Sequence, residues 1–471
     1  MEIKNRADIK NFIVDLENKF PVNDWKFKDI HLWPYIRIQL FFYLRNVTRQ
    51  KEKNNVVSKK TDNAPDQKFF FKFLRKFYHA IVYLILKSKL NHRKILFYGY
   101  KAHRVTYEGK LFNRFFDTLV LENKITDNYY FFEKDGGDKK NLWNSQEIIS
   151  LDKMFEYYLS YNTFKKKVSK KNSTIYLDNY HLFGDYLNTF EATRPFANKF
   201  TSNYLKSWVN MTLSVTIDFY EELLLKIKPE KLYILYYYGD LALVAVANKL
   251  KIETIEMQHG AQSNEHMAYG SWTKIPSSGY DFLPRTYWSW NESSKNVIEK
   301  WAIKNTLYKY FVGGNPWVNF WLNKDEKYVH NDFILYTLQP NHALHELFPE
   351  QLMASIITEK YKWFIRLHPR QLNKREEINL FLKKNNIMDL VNVHDATFNP
   401  LPVLLKNCML HITNSSASAI EAAMFNKKTI LLHEIGKLYY SDLIESGSAK
   451  YVGKEHNFEN ELDVYMSNCN S

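Results

Sequence analysis

Three short runs in this 471-residue chain carry residue types that do chemistry, each at the end of a β-prone stretch. The first is Gln258-His259-Gly260, where the run Ile252, Thr254, Ile255, Met257 ends in a polar pair and a glycine. An imidazole at a strand end, where the backbone turns, can move a proton or hold a phosphate oxygen. The second is Arg366-Leu367-His368-Pro369-Arg370. Here a strand delivers two guanidinium groups and an imidazole around a proline that ends the pairing, which is equipment for a phosphate. The third is Asn414-Ser415-Ser416, followed by Glu421. Serine hydroxyls and free N–H groups at a helix start form an anion site, and a carboxylate about two turns further in would reach ribose hydroxyls. Asp240 closes the run KLYILYYYGD and offers a carboxylate as base, as a group that orients His259, or as a nucleophile.

Each run also has an ordinary structural account. Histidines fall at strand ends by chance, and a basic strand end can simply be solvated. The serines can cap a helix, Ser418 with Glu421 can form a capping box, and Asp240 can be the N-cap of the helical LALVAVANKL. Order and spacing weigh toward chemistry: a His-Pro strand end is followed about 45 residues later by a Ser-Ser helix start, within an alternating α/β pattern.

The elements that must position these residues follow from periodicity. KILFYGY (94–100), KLYILYYYGD (231–240), IETIEM, TYWSW (286–290) and KYFVGGNP (309–316) are expected strands. LALVAVANKL lies between two of them in the sequence form of a right-handed parallel crossover. The loop after Tyr100 carries His103, Arg104 and Glu108. A second series, FILYTLQP, KWFIRLHP, LVNVH, MLHIT and KTILLH, follows Gly313-Gly314-Asn315-Pro316 and a charged stretch. Residues 140–225 look mainly helical and aromatic. The expected fold is therefore α/β, with two Rossmann-type parallel-sheet domains facing a cleft and an N-terminal helical extension. The expected boundaries are 1–47 (helical extension, with a helix from Ala7 to Phe20 and another opened by Pro34), 48–93 (basic linker and amphipathic segment), 94–318 and 319–471.

Charge and composition bound the setting. The net charge is +14, and between Thr48 and Lys94 thirteen Lys/Arg face three acids, so most of the excess sits in a tenth of the chain. TRQKEKNNVVSKKTDNAPDQK reads as a linker. KFFFKFLRKFYHAIVYLILKSKL interleaves rings with bases and carries no acid. It suits an anionic membrane surface, or alternatively a helix whose apolar side packs on the protein with its bases solvated. No zinc-finger or RNP fingerprint accompanies the charge, so no nucleic-acid partner is expected. Two cysteines, Cys408 and Cys469, exclude a disulfide framework or a four-cysteine zinc site. The first twenty residues have no signal-peptide core and no apolar run reaches the length of a spanning helix. A cytoplasmic protein, peripheral to the inner face of the membrane, is expected.

The C-terminal domain resembles the nucleotide-sugar-binding half of GT-B-fold glycosyltransferases of bacterial capsule and lipopolysaccharide synthesis. His368-Pro369 and Ser415-Ser416 look like the HP and S motifs of bacterial sialyltransferases, polysialyltransferases and Kdo transferases. Gln258-His259-Gly260 is similar to the QHG of capsule polysaccharide synthesis proteins and, more distantly, to the His-Gly of CDP-glycerol glycerophosphotransferases. The likeness spans roughly residues 230–450, and acceptor selection would lie in the first 200. It implies that His368, Ser415 and Ser416 hold the donor's phosphate, with Glu421 near the ribose; Arg366 and Arg370 join them on charge grounds. Gln258 and Gly260 would shape the active-site loop, and His259, with Asp240 as rival, would deprotonate an acceptor hydroxyl or bind the leaving phosphate. Such families hold the nucleotide phosphate without a bound metal, and no Asp-x-Asp motif is present, so no cofactor is expected beyond the nucleotide-sugar substrate. The implied activity is transfer from a nucleotide-sugar, taken as CMP-linked, to a lipid-linked or oligosaccharide acceptor. The alternatives are a CDP-glycerol or CDP-ribitol polyol-phosphate transferase, and a catalytically silent membrane-associated assembly partner.

Overall fold

The computed structural model describes residues 3–51, 69–122, 128–136, 140–165, 174–324, 328–340 and 342–467. Its chain divides into two compact units, Met1–Arg104 with Asn123–Gly313, and Val105–Glu122 with Gly314–Ser471. The main sheet of each unit is wholly parallel.

In the first unit the strands are β1 (Ile95–Tyr100), β2 (Tyr129–Lys134), β3 (Ile148–Ser150), β4 (Lys231–Ile234), β5 (Glu253–Met257), β6 (Thr286–Ser289) and β7 (Lys309–Val312). Their spatial order is β7-β6-β5-β4-β1-β2-β3. In the second unit β8 (Phe333–Thr337), β9 (Lys362–Arg366), β10 (Val391–Asn392), β11 (Leu410–Thr413), β12 (Thr429–Leu431) and β13 (Ala449–Tyr451) lie in the order β10-β9-β8-β11-β12-β13. Counted within its own unit, each sheet contains the doubly wound Rossmann order 3-2-1-4-5-6. In this order the winding reverses beside the first strand, and ligands bind outside the carboxyl ends of the strands at that reversal. The reversal falls between β1 and β4 in the first unit and between β8 and β11 in the second. Central strands such as β8, buried along all five residues, explain why the sequence shows apolar runs here instead of alternation.

Several boundaries differ from those expected. The run 231–240 pairs only as far as Ile234, because Tyr236 turns left-handed (φ 68°) and Tyr237–Gly239 form a 3-10 turn. Glu256 on β5 holds that turn, accepting the N–H groups of Tyr236 (3.3 Å) and Tyr237 (3.0 Å). Gly239 is required there, since a Cβ would collide with the Tyr100 hydroxyl and the Tyr236 ring. Strands β2, β3 and β13 are not among the expected strands: β3 and β13 are only three residues long, and β2, although bounded in the sequence by Asp127-Asn128 and Asp135-Gly136, is not read there as a strand.

Residues 1–47, expected as a unit of their own, belong to the first unit. Helix α1 (Arg6–Lys19) begins in an Asn5–Asp8 capping box, and α2 (Trp33–Lys51) has Pro34 in its first turn. Arg37 donates to Glu17 Oε1 (2.8 Å) and to the carbonyls of Met267, Gly270 (3.0 Å) and Ser271 (2.8 Å). Glu17 also accepts from Trp33 Nε1 (2.9 Å) and from the Thr273 N–H (3.1 Å). Both side chains are fully buried, and this dense set of partners is what makes such a buried pair tolerable.

The second unit begins earlier than expected. The strands Arg104–Tyr107 and Lys110–Asn113 form a hairpin whose turn residues Glu108 and Gly109 have φ of 46° and 70°. From Val105 to Glu122 the chain is grouped with residues 314–471, where Phe112 meets Trp317 (5.7 Å between centroids) and Tyr107 meets Phe320 (5.5 Å).

Of the basic segment, 52–68 lies outside the described residues. Helix α3 (Phe69–Ser88) is formed, and it buries Ala80 and Tyr83 while its opposite apolar side is exposed. Among the described residues no helix is long and apolar enough to cross a membrane.

Candidate functional site

In the second unit the predicted strand ends converge at the sheet reversal. β9 ends in Arg366, whose Nη1 donates to the carbonyls of Ala396 (2.6 Å) and Asn399 (2.6 Å) and so fixes the guanidinium in place. Burial lowers its pKa to about 10, with Glu421 opposing and Arg114 reinforcing that shift. His368 caps the turn that follows: its Nδ1 accepts the Arg370 N–H (3.1 Å), which leaves the proton on Nε2. Burial, then the neighbouring Arg370, Arg114 and Arg366, pull its pKa down to about 4, so the ring is neutral at pH 7 and Nε2–H is a donor. Arg370 is exposed.

Ser415 and Ser416 follow β11, but they do not form the open helix mouth expected of them. The helix starts at Ser418, has Ala417 at its cap and runs only to Met424. The Ser415 N–H donates to Gln339 Oε1 (2.7 Å), and Ser416 Oγ accepts the Ser418 N–H (3.3 Å). Ser418 Oγ pairs with Thr337 (3.0 Å), so the Ser418–Glu421 capping box is absent. The cause is Gln339, just past β8, which sequence spacing did not single out. Its carbonyl also accepts from Gln371 Nε2 (3.1 Å), and Gln371 Oε1 accepts the His368 N–H (3.0 Å). One glutamine thus ties the His368 turn to Ser415 across three adjacent strand ends.

Glu421 sits in the first turn of that short helix and is buried, 4% exposed. Its neighbour is Arg114, from the 105–122 segment, with Nη1 4.0 Å from Oε1. Burial raises the Glu421 pKa, while Arg114, Arg366 and the side chain of Asn315, which hydrogen-bonds the carboxylate, pull it back in part. Oε2 is buried and has no hydrogen-bond partner among the described residues. A buried acceptor of this kind flanked by guanidinium groups is a place for a ligand hydroxyl. Arg114 was missed in the sequence: it stands far along the chain from its partners, in a stretch assigned to the other domain.

In the first unit Asp240 is the N-cap, accepting the Leu243 N–H (3.4 Å). Its Oδ2 also receives Lys134 Nζ (2.9 Å), the Tyr98 hydroxyl (3.4 Å) and the Tyr220 hydroxyl. Burial lowers the pKa of the Lys134 ammonium, but Asp240 outweighs it and the net shift is upward. Asp240 therefore makes its bonds to these groups and does not orient His259. Beside it opens a cavity of about 380 Å³ lined by Lys134, Asp240, Tyr238 and, from a π-helical turn at Val209–Leu213 and its flanks, Trp208 and Thr212. Such π turns are frequent at functional sites.

His259 follows β5 and lies against Tyr236 (5.7 Å between centroids) and His103 (5.9 Å). Gln258 is structural: its amide donates to Gly260 O (2.9 Å) and Ser294 Oγ (3.0 Å) and accepts the Trp290 N–H (2.6 Å). Gly260 does not take a positive φ, and a Cβ there would meet nothing within 4 Å, so the turn does not depend on glycine. Among the described residues no group of three or more His, Cys, Asp or Glu could hold a metal ion.

No family model and no curated protein matches the sequence. Among solved structures, the UDP-GlcNAc 2-epimerase of Methanocaldococcus jannaschii is similar at 16% identity and a TM-score of 0.45, over 79% of this chain and 91% of that one. The S. aureus MnaA–UDP structure is similar at 14% identity and 0.45, over 80% and 91%. The Neisseria meningitidis UDP-GlcNAc 2-epimerase bound to UDP-GlcNAc matches at 13% and 0.42, over 79% and 90%. At such values the fold assignment rests on the strand order and register above.

Proposed function

We propose that the chain is a nucleotide-sugar-dependent glycosyltransferase whose second unit holds the donor through its phosphate and ribose. The observation that carries this is the buried Glu421 oxygen without a partner, flanked by Arg114 and Arg366 at the sheet reversal. A nucleotide brings both hydroxyl donors for the carboxylate and phosphate oxygens for the cations. His368 donates Nε2–H, and Arg370 adds an exposed positive charge. When the bond from the anomeric carbon to the phosphate oxygen breaks, the phosphate keeps the electron pair, and fixed cations and N–H donors offset its charge without a bound metal. The acceptor hydroxyl supplies the new bond and gives up its proton to a base. His259 is favoured for that step over Asp240, whose oxygens are engaged by Lys134, Tyr98, Tyr220 and the Leu243 N–H. The donor is taken as CMP-linked, and the product as capsule or lipopolysaccharide glycan on a lipid-linked or oligosaccharide acceptor.

The test is a thermal shift with CMP, CDP, UDP, GDP and ADP, with and without magnesium. Binding to the native state alone raises stability by about 2.7 kcal/mol at 100 Kd. The expected result is stabilisation by a cytidine nucleotide without magnesium, lost in His368→Ala. A response to UDP instead would reassign the donor. Silence toward every nucleotide would sink the transferase and leave the assembly partner. Transfer of a polyol phosphate, seen by mass in the product, would replace sugar transfer with its polyol-phosphate counterpart.

A further inference from the structure

We propose that α3 seats the protein on an anionic membrane surface, lying in the plane of the headgroups. The helix is held to the first unit from one side: Tyr83 and Ala80 are buried, His79 packs on Tyr157 (4.9 Å between centroids), and Lys87 bonds Glu222 (2.6 Å). The other side is open except along one edge, where Phe73 and Phe77 meet Phe164 edge-on (6.0 and 6.3 Å between centroids). Phe73, Leu74, Phe77, Tyr78, Ile81, Leu84 and Ile85 are all exposed, with Tyr78 at 64% and Phe77 at 52%. At 100° per residue these seven fall within one arc of about 140°, a continuous apolar stripe along the helix. A stripe this long is far more apolar surface than scattered exposed residues would give.

What covers it is decided by charge. The segment from Lys68 to Leu90 contains no acid; helical geometry places Arg75 along one flank of the stripe and Lys76 and Lys87 along the other, and Lys89 follows the last helical residue, its N–H still donating to Ile85 O (3.3 Å). Glu156 partners Arg75 (3.2 Å) and Glu222 partners Lys87, whereas Lys76 and Lys89 are exposed. A second copy of the helix would bring like charges together on both flanks. Nucleic acid would meet aliphatic side chains where it needs hydrogen-bond donors. An anionic bilayer matches both parts, with rings and aliphatic chains at the acyl boundary and lysines on the phosphates. The inference stands independently of the transferase proposal.

The test is flotation of the whole protein with phosphatidylcholine vesicles, with and without phosphatidylglycerol. Binding is expected to the mixed vesicles, weakened by salt. Lys76→Gln with Lys89→Gln should lower affinity about fivefold per base removed. Leu74→Asp with Ile85→Asp, both at exposed positions, should abolish flotation while leaving the melting temperature unchanged. The proposal is overturned if the wild type fails to float, if the Asp variant floats as well as the wild type, or if the wild type is a dimer that the Asp substitutions dissociate.

Discussion

Arg114 Nη1 lies 4.0 Å from Glu421 Oε1, an ion pair that joins a hairpin-borne segment to the C-terminal part of the chain within one compact unit. Arg114 is a quarter exposed and Glu421 is buried, so the pair is neither a surface bridge nor a fully enclosed one. It places a cation where charge chemistry in the sequence had put only Arg366 and Arg370.

Arg114→Met should therefore weaken nucleotide binding by about tenfold, about 1.4 kcal/mol, after allowing for screening at the partly exposed guanidinium. Isothermal titration with the nucleotide that gives the largest thermal shift checks this. Undiminished affinity would remove Arg114 from the site. Because His368 is neutral down to about pH 4, wild-type affinity should carry no histidine step between pH 6 and 8.

Asp240 and Lys134 should behave as a coupled structural pair. Asp240→Asn leaves Lys134 without its carboxylate and Lys134→Met leaves Asp240 without its ammonium, so each single substitution should cost about 1–3 kcal/mol. The double variant should lose less than the sum, with a coupling of about 1–2 kcal/mol in urea unfolding. Full stability of Asp240→Asn would return Asp240 to the catalytic candidates.

Glu256 should make stability fall with rising pH. Its carboxyl is pushed from the ordinary 4.5 up to about 8, by burial against the opposing hydrogen bonds from Tyr269, Tyr237 and Tyr236. The native state thus holds a proton that the unfolded chain has already released. This contribution is whole below about pH 4.5, fades as pH rises and is gone above about pH 8, with a slope of at most ~1.4 kcal/mol per unit. Melting curves from pH 5 to 8 should show the decline in the wild type and a flatter profile in Glu256→Gln. Parallel profiles would mean that the carboxyl is ionised throughout.

Glu17→Ala strands the buried Arg37 guanidinium and should cost about 3–5 kcal/mol in chemical unfolding. Removal of residues 1–47 should leave the first unit unable to fold, because Trp33, Ile36, Leu40 and Phe41 belong to its core. A soluble, cooperatively melting truncation would restore the helical extension to independence.

Local order was legible in the sequence wherever one element carried its own signal. Strand ends at Tyr100, Met257, Arg366 and Thr413 follow from apolar runs closed by polar or proline punctuation, and α2 from Pro34 in its first turn. Arg366 and His368 could be singled out for the same reason, since they sit at or just past such an end, whereas Glu421 lies in the helix after Thr413 and is marked by its spacing from the serines. What escaped depends on partners remote in the chain. Tyr236 leaves its strand because a carboxyl on the next strand takes its N–H; the serines at 415 and 416 are partly consumed because Gln339 reaches them; Arg114 reaches Glu421 only through an excursion of the chain. Asp240 shows the remaining ambiguity, as a cap and a catalytic carboxylate occupy the same place in a sequence.

The excursion from Val105 to Glu122 has a consequence for how the polypeptide is made. These residues leave the ribosome well before the Gly314–Ser471 stretch with which they share a unit. Until that later stretch is synthesised, Phe112, Phe115 and Phe116, all buried in the finished protein, have no final burial place. Their contacts carry long loop closures, which slow folding and prolong the life of a sticky intermediate. The nascent chain therefore has an interval of vulnerability set by translation speed, and slowing elongation between residues 122 and 314 should increase its dependence on chaperones.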